Sequence, residues 1–385
     1  MPRSVTASSF SSPVTSSMRA GAAGSRQIAQ VLGLLVMAAS LPRGRLLRGP
    51  PVSADRGAAA SWHSRKGWRR GARCDDPPAS RPTMEHARTI TRDDGATVAY
   101  RVTRARAGAP GRIVVLLHGL ASNLTRWSEF VEHTALADRW DVLRVDLRGH
   151  GDSPTTGAIG HALWCDDLAA ILDAEGHPRA VLVGHSLGAQ VALHFAVRRA
   201  TRAAGLALID PVFREALRGK WRLLAAAGPA LQVAAAVVRA ANALGLRRRT
   251  IARLDLRALD EIARRALGSK EAEAEFIRRY SSMRADLRSF RTAHYLQELV
   301  EMFRPVPLDA IAAPALVLLS AGGTFADPDA MRRCLQRLPR AEVQRIDCHH
   351  WPLTEKPVEV RQAIEDWCAR LESNPAREAM GVNAD

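Results

Sequence analysis

The sequence of 385 residues has few cysteines, few aromatic residues and few lysines. Its five cysteines form no C-x-x-C pair. An odd cysteine count in a chain of this length indicates neither a disulfide framework nor a zinc site. Aromatic residues make up only 5% of the chain. Surfaces that bind single-stranded nucleic acid place aromatic side chains among their cations, so this composition does not favour nucleic-acid binding.

Basic residues nevertheless outnumber acidic ones, 55 to 39, and the formal net charge is +16. Residues 1–83 account for +10 of this charge, so the remaining 302 residues carry only +6. Only four of the 55 basic residues are lysine, a bias that is typical of GC-rich coding rather than of phosphate binding. Nucleic-acid binding by the basic N-terminal arm stays a separate hypothesis, and it predicts an affinity that falls steeply with salt.

No hydrophobic run reaches the length of about 20 residues that a membrane-spanning helix needs. The most apolar run, at positions 28–39, has twelve residues and follows three arginines, which fits a signal peptide within residues 1–40 and export. The rest of residues 1–83 lacks periodicity, which indicates disorder. Alternatively, translation starts at Met84, where the pattern of a compact domain begins. Without a signal peptide, we expect a cytoplasmic protein.

From residue 84 onward, short apolar runs alternate with helical patterns. The apolar runs predict strands at 113–117, 141–147, 180–184, 205–209 and 315–319. Alternation predicts another strand at 96–104, and a last one is expected at 342–347. The helical patterns lie near 126–137, 162–175, 187–200, 328–338 and 357–371. Alternation at this spacing predicts an α/β fold, with a mostly parallel sheet covered by helices on both faces.

This alternation stops between residues 212 and 305, where the segment has no strand-like run and spaces its apolar residues as helices do. We expect an all-helical lid there, inserted between two strands and projecting above the strand ends, where ligands bind in open α/β sheets. Residues 84–211 and 306–375 would form the core of the fold, and residues 376–385 a flexible tail.

The segment Gly184–Gly188 reads G-H-S-L-G, with an apolar strand before it and a helical pattern after it. This setting predicts a nucleophile elbow, in which a tight turn exposes the hydroxyl of Ser186 at a helix N-terminus. The backbone N–H of Leu187 can then face an oxyanion. A second donor is expected from the loop after the 113–117 strand, through the N–H of Leu120. His118, in the same loop, is expected to support it by hydrogen bonding.

Four short motifs occur along the chain, and their order and spacing carry the resemblance described next. They are HGL at 118–120, DLRGHGDS at 146–153, GHSLG at 184–188 and HHWPLTEKP at 349–357. With these motifs, residues 112–371 resemble the α/β-hydrolase superfamily, specifically its esterase-like branch with a helical cap. The resemblance implies a catalytic triad, which consists of a nucleophile, a histidine base and an acid.

The resemblance implies that His350 is the base, with His349 at the position where the family usually has glycine. The resemblance identifies the acid of the triad less directly. An ungapped match after the strand ALVLLS puts Gly323 where the family usually has aspartate. One candidate is Asp210, which ends the strand GLALID, and some members of the superfamily supply the acid from that strand. The other is Asp327, which a helix N-cap would also explain. We expect Asp210 and keep Asp327 as the alternative.

The sequence therefore predicts a carboxylesterase-like serine hydrolase that cleaves an ester of a small to medium hydrophobic substrate through an acyl-enzyme. No sequence motif indicates a metal or another cofactor. A different class stays open, that of a catalytically silent protein which uses the same fold to bind a ligand or to regulate a partner. The departure at Gly323 is consistent with that alternative. Neither the substrate nor the oligomeric state follows from the sequence.

Overall fold

The computed structural model describes most of the chain from Met84 onward. The described residues are 84–107, 111–246, 251–266, 270–322 and 326–373. The predictions made for residues 1–83, for Gly323 and for the tail at 376–385 lie outside them.

The described residues contain one eight-stranded sheet. Its strands are β1 (Glu85–Thr91), β2 (Thr97–Thr103), β3 (Ile113–Leu117), β4 (Asp141–Val145), β5 (Ala180–His185), β6 (Ala203–Ile209), β7 (Ala315–Ser320) and β8 (Ala341–Ile346). They lie in the order β1-β2-β4-β3-β5-β6-β7-β8. The pairs β1–β2 and β2–β4 are antiparallel and the others are parallel. The predicted α/β fold with a mostly parallel sheet is confirmed.

Twelve α-helices are described. They are α1 (Ser128–His133), α2 (His161–Ala174), α3 (Leu187–Arg198), α4 (Gly219–Ala226), α5 (Gly228–Ala243), α6 (Leu256–Ala266), α7 (Lys270–Tyr280), α8 (Met283–Ser289), α9 (Thr292–Met302), α10 (Pro328–Gln336), α11 (Pro352–Glu355) and α12 (Pro357–Ser373). The six helices α4–α9 lie between β6 and β7, and we call them the inserted segment. Their action as a lid stays a prediction.

The apolar runs form strands because both faces of the sheet are covered. All five residues of β3 are buried. Val115 and Leu117 pack into the core on the side of α2 and α3, whereas Val114 and Leu116 pack on the side of α1 and α12. A strand between two helical layers has no solvent face, so its sequence is continuously apolar rather than alternating.

Two elements differ from the sequence prediction. The edge strand β1 was not predicted, since its side chains are mostly exposed and its sequence EHARTIT contains few apolar residues. It forms because β2 offers it a full antiparallel partner. The helix predicted at 126–137 is broken into three short pieces. At the second break the hydroxyl of Thr134 accepts a hydrogen bond from Leu136 N, which favours a new helix start over continuation.

Among the described residues, no single helix has both the length and the apolar character needed to cross a membrane. Helices α4 and α5 meet that test only when taken together, and they meet at a bend of 64°.

Candidate active site

Ser186 lies in a tight turn between β5 and α3. Its backbone has φ 53° and ψ −111°, a conformation that is strained for a residue with a side chain. Among the non-glycine residues described, only Ala121 and Asp210 also have positive φ values. All three lie at the carboxyl end of a parallel strand, at the edge where such sheets bind ligands.

The two glycines of the motif allow β5, α3 and β3 to approach one another. A Cβ atom on Gly184 would lie 2.3 Å from the backbone of Gly188. A Cβ on Gly188 would lie 2.3 Å from the carbonyl oxygen of Leu117. Neither position has space for a side chain, so the tight turn at Ser186 depends on both glycines.

Two other side chains line up with the Ser186 hydroxyl. Nε2 of His350 lies 3.1 Å from Oγ of Ser186. On the far side of the imidazole, Nδ1 lies 3.2 Å from Oδ2 of Asp210. Ser186, Asp210 and His350 come from the loops after β5, β6 and β8, and they converge because parallel strands end at the same edge of the sheet.

Asp210 is held in place by a residue that the sequence analysis did not single out. The backbone N–H of Ser320, at the end of β7, donates a 2.7 Å hydrogen bond to Oδ1 of Asp210, and the Ser320 hydroxyl donates to Oδ2. Burial by itself would raise the pKa of Asp210, but His350 and the Ser320 hydrogen bonds hold it below the ordinary value. The carboxylate therefore stays ionised and can orient the His350 imidazole.

His185, the variable residue of the elbow motif, also bears on His350. Its Nε2 lies 2.9 Å from the carbonyl oxygen of His350. Burial, together with the charge of His350, lowers the pKa of His185 to about 3, so this side chain is neutral. We assign the proton to Nε2, which then donates to the carbonyl and holds the loop that carries His350. No sequence signal marks this role, because the motif leaves the position variable.

The two alternatives named in the sequence analysis face elsewhere. Nε2 of His349 lies 2.5 Å from Oε1 of Glu273, on α7. The side chain of Asp327 accepts a 2.8 Å hydrogen bond from Ala330 N at the start of α10 and forms an ion pair with Arg218. Its contacts are thus those of a helix N-cap, the function weighed for it from sequence.

The loop after β3 lies directly beside the nucleophile turn. A Cβ atom on Gly119 would lie 3.6 Å from Cβ of Ser186. The N–H of Leu187, in the first turn of α3, has no acceptor within its helix. Leu120 lies in the neighbouring loop and lines the same cavity as Ser186. The two backbone groups expected to bind an oxyanion are therefore neighbours of the hydroxyl.

His118 supports this loop and takes no part in the serine–imidazole pair. Its Nε2 accepts a 3.1 Å hydrogen bond from Leu147 N, and its Nδ1 lies 2.9 Å from the carbonyl oxygen of Gly119. Complete burial holds the pKa of His118 well below its ordinary value. A neutral imidazole with its proton on Nδ1 satisfies both contacts.

Glu298, on α9, ties the inserted segment to the same loop. Its Oε2 accepts a 3.2 Å hydrogen bond from the backbone N–H of Ala121, and its Oε1 lies 3.1 Å from Nε2 of His150. Both side chains are fully buried. Burial by itself would lower the pKa of His150, but the Glu298 carboxylate raises it overall. Nothing in the sequence around Glu298 indicated that its side chain would be buried and would contact this loop.

A cavity of about 270 Å³ opens onto Ser186 and His350. Much of its wall is apolar and comes from the inserted segment, and the residues of this wall include Trp221, Leu254, Leu256, Leu259, Tyr280 and Met302. A second cavity of about 450 Å³ lies beside Asp210 and His350, between β7, β8 and α10. Only the first cavity is lined by both Ser186 and the loop after β3, so only it can hold a group between them.

A buried ion pair joins the inserted segment to the core near this cavity. Arg126 pairs with Asp260 of α6, and Asp260 also accepts hydrogen bonds from Tyr280 and Thr354. Thr354 belongs to α11, which follows the His350 loop. The cavity wall is thus connected to the same part of the chain that carries His350.

Among the residues that the structure describes, no group of three or more His, Cys, Asp and Glu side chains could hold a metal ion.

Residues 112–357 match the family model of the alpha/beta hydrolase fold. The chain belongs to this family. It is 25% identical over 270 residues to the sn-1-specific diacylglycerol lipase ABHD11 of Mus musculus, an alignment that covers 66% of this chain and 80% of the lipase. It is 35% identical over 115 residues to lipase LipV of Mycobacterium tuberculosis, covering 29% of this chain and 41% of LipV.

The structures of other hydrolases show the same fold. A thermophilic esterase from Thermogutta terrifontis superposes with a TM-score of 0.54 at 25% sequence identity, covering 74% of this chain and 99% of the esterase. Several sequence alignments are short. This chain spans 30% of the acetyltransferase component of the acetoin cleaving system of Cupriavidus necator, at 35% identity. Those shared residues carry the hydrolase fold, so the activity of such relatives does not transfer to this chain by itself.

Proposed function

We propose that this member of the alpha/beta hydrolase family is a serine hydrolase that cleaves carboxylic esters through an acyl-enzyme. The observation that carries the proposal is the alignment of three groups, with Ser186 Oγ 3.1 Å from His350 Nε2 and His350 Nδ1 3.2 Å from Asp210 Oδ2. Relatives named as lipases and a structural neighbour named as an esterase support ester bonds as the substrate class.

The proposed reaction has two halves. His350 Nε2 takes the proton of Ser186 as the hydroxyl oxygen attacks the ester carbonyl. The N–H groups of Leu120 and Leu187 donate to the oxyanion that forms, and Asp210 stabilises the imidazolium. The imidazolium then gives its proton to the leaving alcohol. Water, deprotonated by the same imidazole, cleaves the acyl-enzyme and regenerates the free serine.

The chemistry of the cavity suggests the kind of acyl group. A volume of about 270 Å³ with a largely apolar wall fits a small to medium hydrophobic acyl chain. Of the two arginines that line the cavity, Arg126 is paired with Asp260.

Active-site labelling and burst kinetics test the proposal. We expect a fluorophosphonate probe to label the wild-type chain at Ser186, and a chromogenic short-chain ester to give a burst of one product per enzyme. Ser186→Ala should abolish both signals, with turnover lowered by about 10⁴-fold or more. A folded wild-type chain that shows neither burst nor labelling would reject the enzyme in favour of a silent ligand-binding protein.

A further inference from the structure

Helix α5 is apolar on the face that the fold leaves exposed. That face consists of Gln232, Val233, Ala236, Val237, Ala240, Ala243 and Leu244. Val233 is 65% exposed, Val237 63% and Leu244 82%. The opposite face carries the buried residues Leu231 and Ala235. A helix that is apolar on both sides normally has both sides covered, but none of the described residues buries these side chains of α5.

Two more exposed leucines flank α5 along the chain. Leu223, on α4, is 42% exposed, and Leu246, just after α5, is 74% exposed. Leu223, Leu246 and the exposed side chains of α5 together form what we call the outer face. Exposed apolar side chains that are concentrated in one segment of a folded chain indicate a site of interaction with a protein or a membrane.

The part of the chain that carries the outer face has charged residues of one sign. Between Glu215 and Asp255 the sequence contains no acidic residue. It contains eight basic ones, namely Arg218, Lys220, Arg222, Arg239, Arg247, Arg248, Arg249 and Arg253. Two of these, Arg218 and Arg253, form ion pairs with Asp327 and Asp152. The segment is therefore both apolar and positively charged, the combination found in helices that lie on membrane surfaces.

We propose that the outer face docks on the surface of an anionic lipid bilayer. Val233, Val237 and Leu244 enter the boundary between headgroups and acyl chains, while Lys220, Arg222 and Arg239 lie among the anionic headgroups. Helix α5 has 16 residues, fewer than the roughly 20 needed to cross, so it lies in the plane of the surface.

A second copy of this chain is a poorer occupant on electrostatic grounds. A symmetric contact would place two outer faces against each other and bring two basic segments together. Like charges juxtaposed at an interface cost several kcal/mol, whereas anionic headgroups would neutralise them. Docking would also place the wall of the Ser186 cavity near the bilayer, because α4 contributes Trp221 to that wall.

Vesicle co-sedimentation of the full-length protein tests this proposal. We compare vesicles of phosphatidylcholine alone with vesicles that also contain phosphatidylglycerol. Wild-type protein should bind the anionic vesicles and release as salt is raised. The double variant Val233→Ser, Val237→Ser should bind about tenfold more weakly or worse, because it removes apolar surface from the interface. Arg222→Glu with Arg239→Glu should weaken binding to the anionic vesicles in particular.

The matched control replaces two valines outside the inserted segment, Val343→Ser and Val358→Ser, which are 46% and 47% exposed. It should bind vesicles as the wild type does. Hydrolysis of a water-soluble ester should be unchanged in all variants, which shows that they fold and separates this inference from the proposed function.

Three results would overturn the inference. One is no binding of wild-type protein to anionic vesicles. Another is full binding by the serine double variant, which would assign the contact to another segment, such as the basic residues 1–83. The third is a dimer, detected by light scattering, that the serine variant converts to monomer while vesicle binding is absent.

Discussion

The sheet core and the inserted segment of this chain are packed in different ways. In the core, every residue of β3 is buried, and Trp127 and Trp164 are completely inaccessible to solvent. The inserted segment and its connections contain six of the nine exposed large hydrophobic residues among those described. Polar groups, such as the Arg126–Asp260 pair, contribute to its attachment to the core.

Because of this difference, the alignment of the candidate catalytic groups and the access to them depend on different parts of the chain. The core loops hold Ser186, Asp210 and His350, whose alignment requires close and rigid packing. The inserted segment supplies much of the cavity wall, which decides what can reach those groups. We therefore expect changes in the core to alter chemistry or folding, and changes in the inserted segment to be tolerated unless they reach the core.

The largest expected effect lies in the core. Asp210→Asn should lower kcat by about 10⁴-fold, because the amide no longer stabilises the correct His350 tautomer and the imidazolium. Ester hydrolysis measures this. The matched control, Asp327→Asn, keeps a residue type that is also favoured at an N-cap, so it should keep wild-type kcat and change stability little. The opposite pattern, with Asp327 essential and Asp210 dispensable, would overturn the assignment of the acid.

A second prediction concerns the place where the inserted segment reaches the core. Glu298→Ala removes the acceptor of Ala121 N and leaves His150 buried without its carboxylate. Losing one partner of a buried pair costs about 3–5 kcal/mol, measurable by urea unfolding. Because Ala121 follows Leu120, kcat should also fall, while KM changes less.

Glu301 offers the matched control for this variant. It lies on the same helix, and its carboxylate also accepts from a backbone N–H, that of His161. Glu301→Ala should lose stability but keep kcat. If Glu298→Ala and Glu301→Ala had the same kcat, Glu298 would have no influence on catalysis through the loop after β3.

A pair of glycine substitutions compares the packing of the two regions directly. Gly188→Ala would bring a methyl group to within 2.3 Å of Leu117 O, so we expect a loss of about 3 kcal/mol or more. Gly228→Ala, at the start of α5, meets nothing within 4 Å. It should stabilise the chain by about 0.5–1 kcal/mol through a better helix propensity. Thermal unfolding of both variants tests this contrast. Equal losses of stability in the two variants would show that the two regions are packed equally tightly.

The last expected effect depends on pH. Burial raises the pKa of Asp286, on α8, from 3.8 to about 7. The unfolded chain releases this proton at lower pH than the folded chain, so the ionised group destabilises the fold increasingly as pH rises from 3.8 through 7. Asp286→Asn should therefore add about 2 kcal/mol at pH 8, part of the full shift because the side chain is only partly buried.

At pH 4 the gain from Asp286→Asn should vanish, since the wild-type carboxyl is then protonated in the folded chain. Urea unfolding at the two pH values measures the difference. A gain of equal size at both would show that hydrogen bonding, with Tyr295 for example, causes it rather than ionisation.

The sequence by itself determined the elements whose cause is local. The sequence predicted seven of the eight strands, and the most apolar of them, such as β3, read as continuous runs because a strand covered on both faces does not alternate. The G-x-S-x-G pattern located the turn at Ser186, because only glycine fits where β5, α3 and β3 meet. Strand β1 escaped prediction, since backbone pairing with β2 rather than its own side chains holds it.

Only the tertiary structure decided which groups meet. Ser320, His185 and Glu298 are separated from their partners by 110, 165 and 177 residues, and no pattern along the chain encodes those contacts. The same holds for the acid, since Asp210 and Asp327 have equal chemistry and differ only in what the fold puts beside them. A carboxylate acquires its role from its neighbours in space, because hydrogen bonds and ion pairs act over a few ångströms regardless of sequence separation.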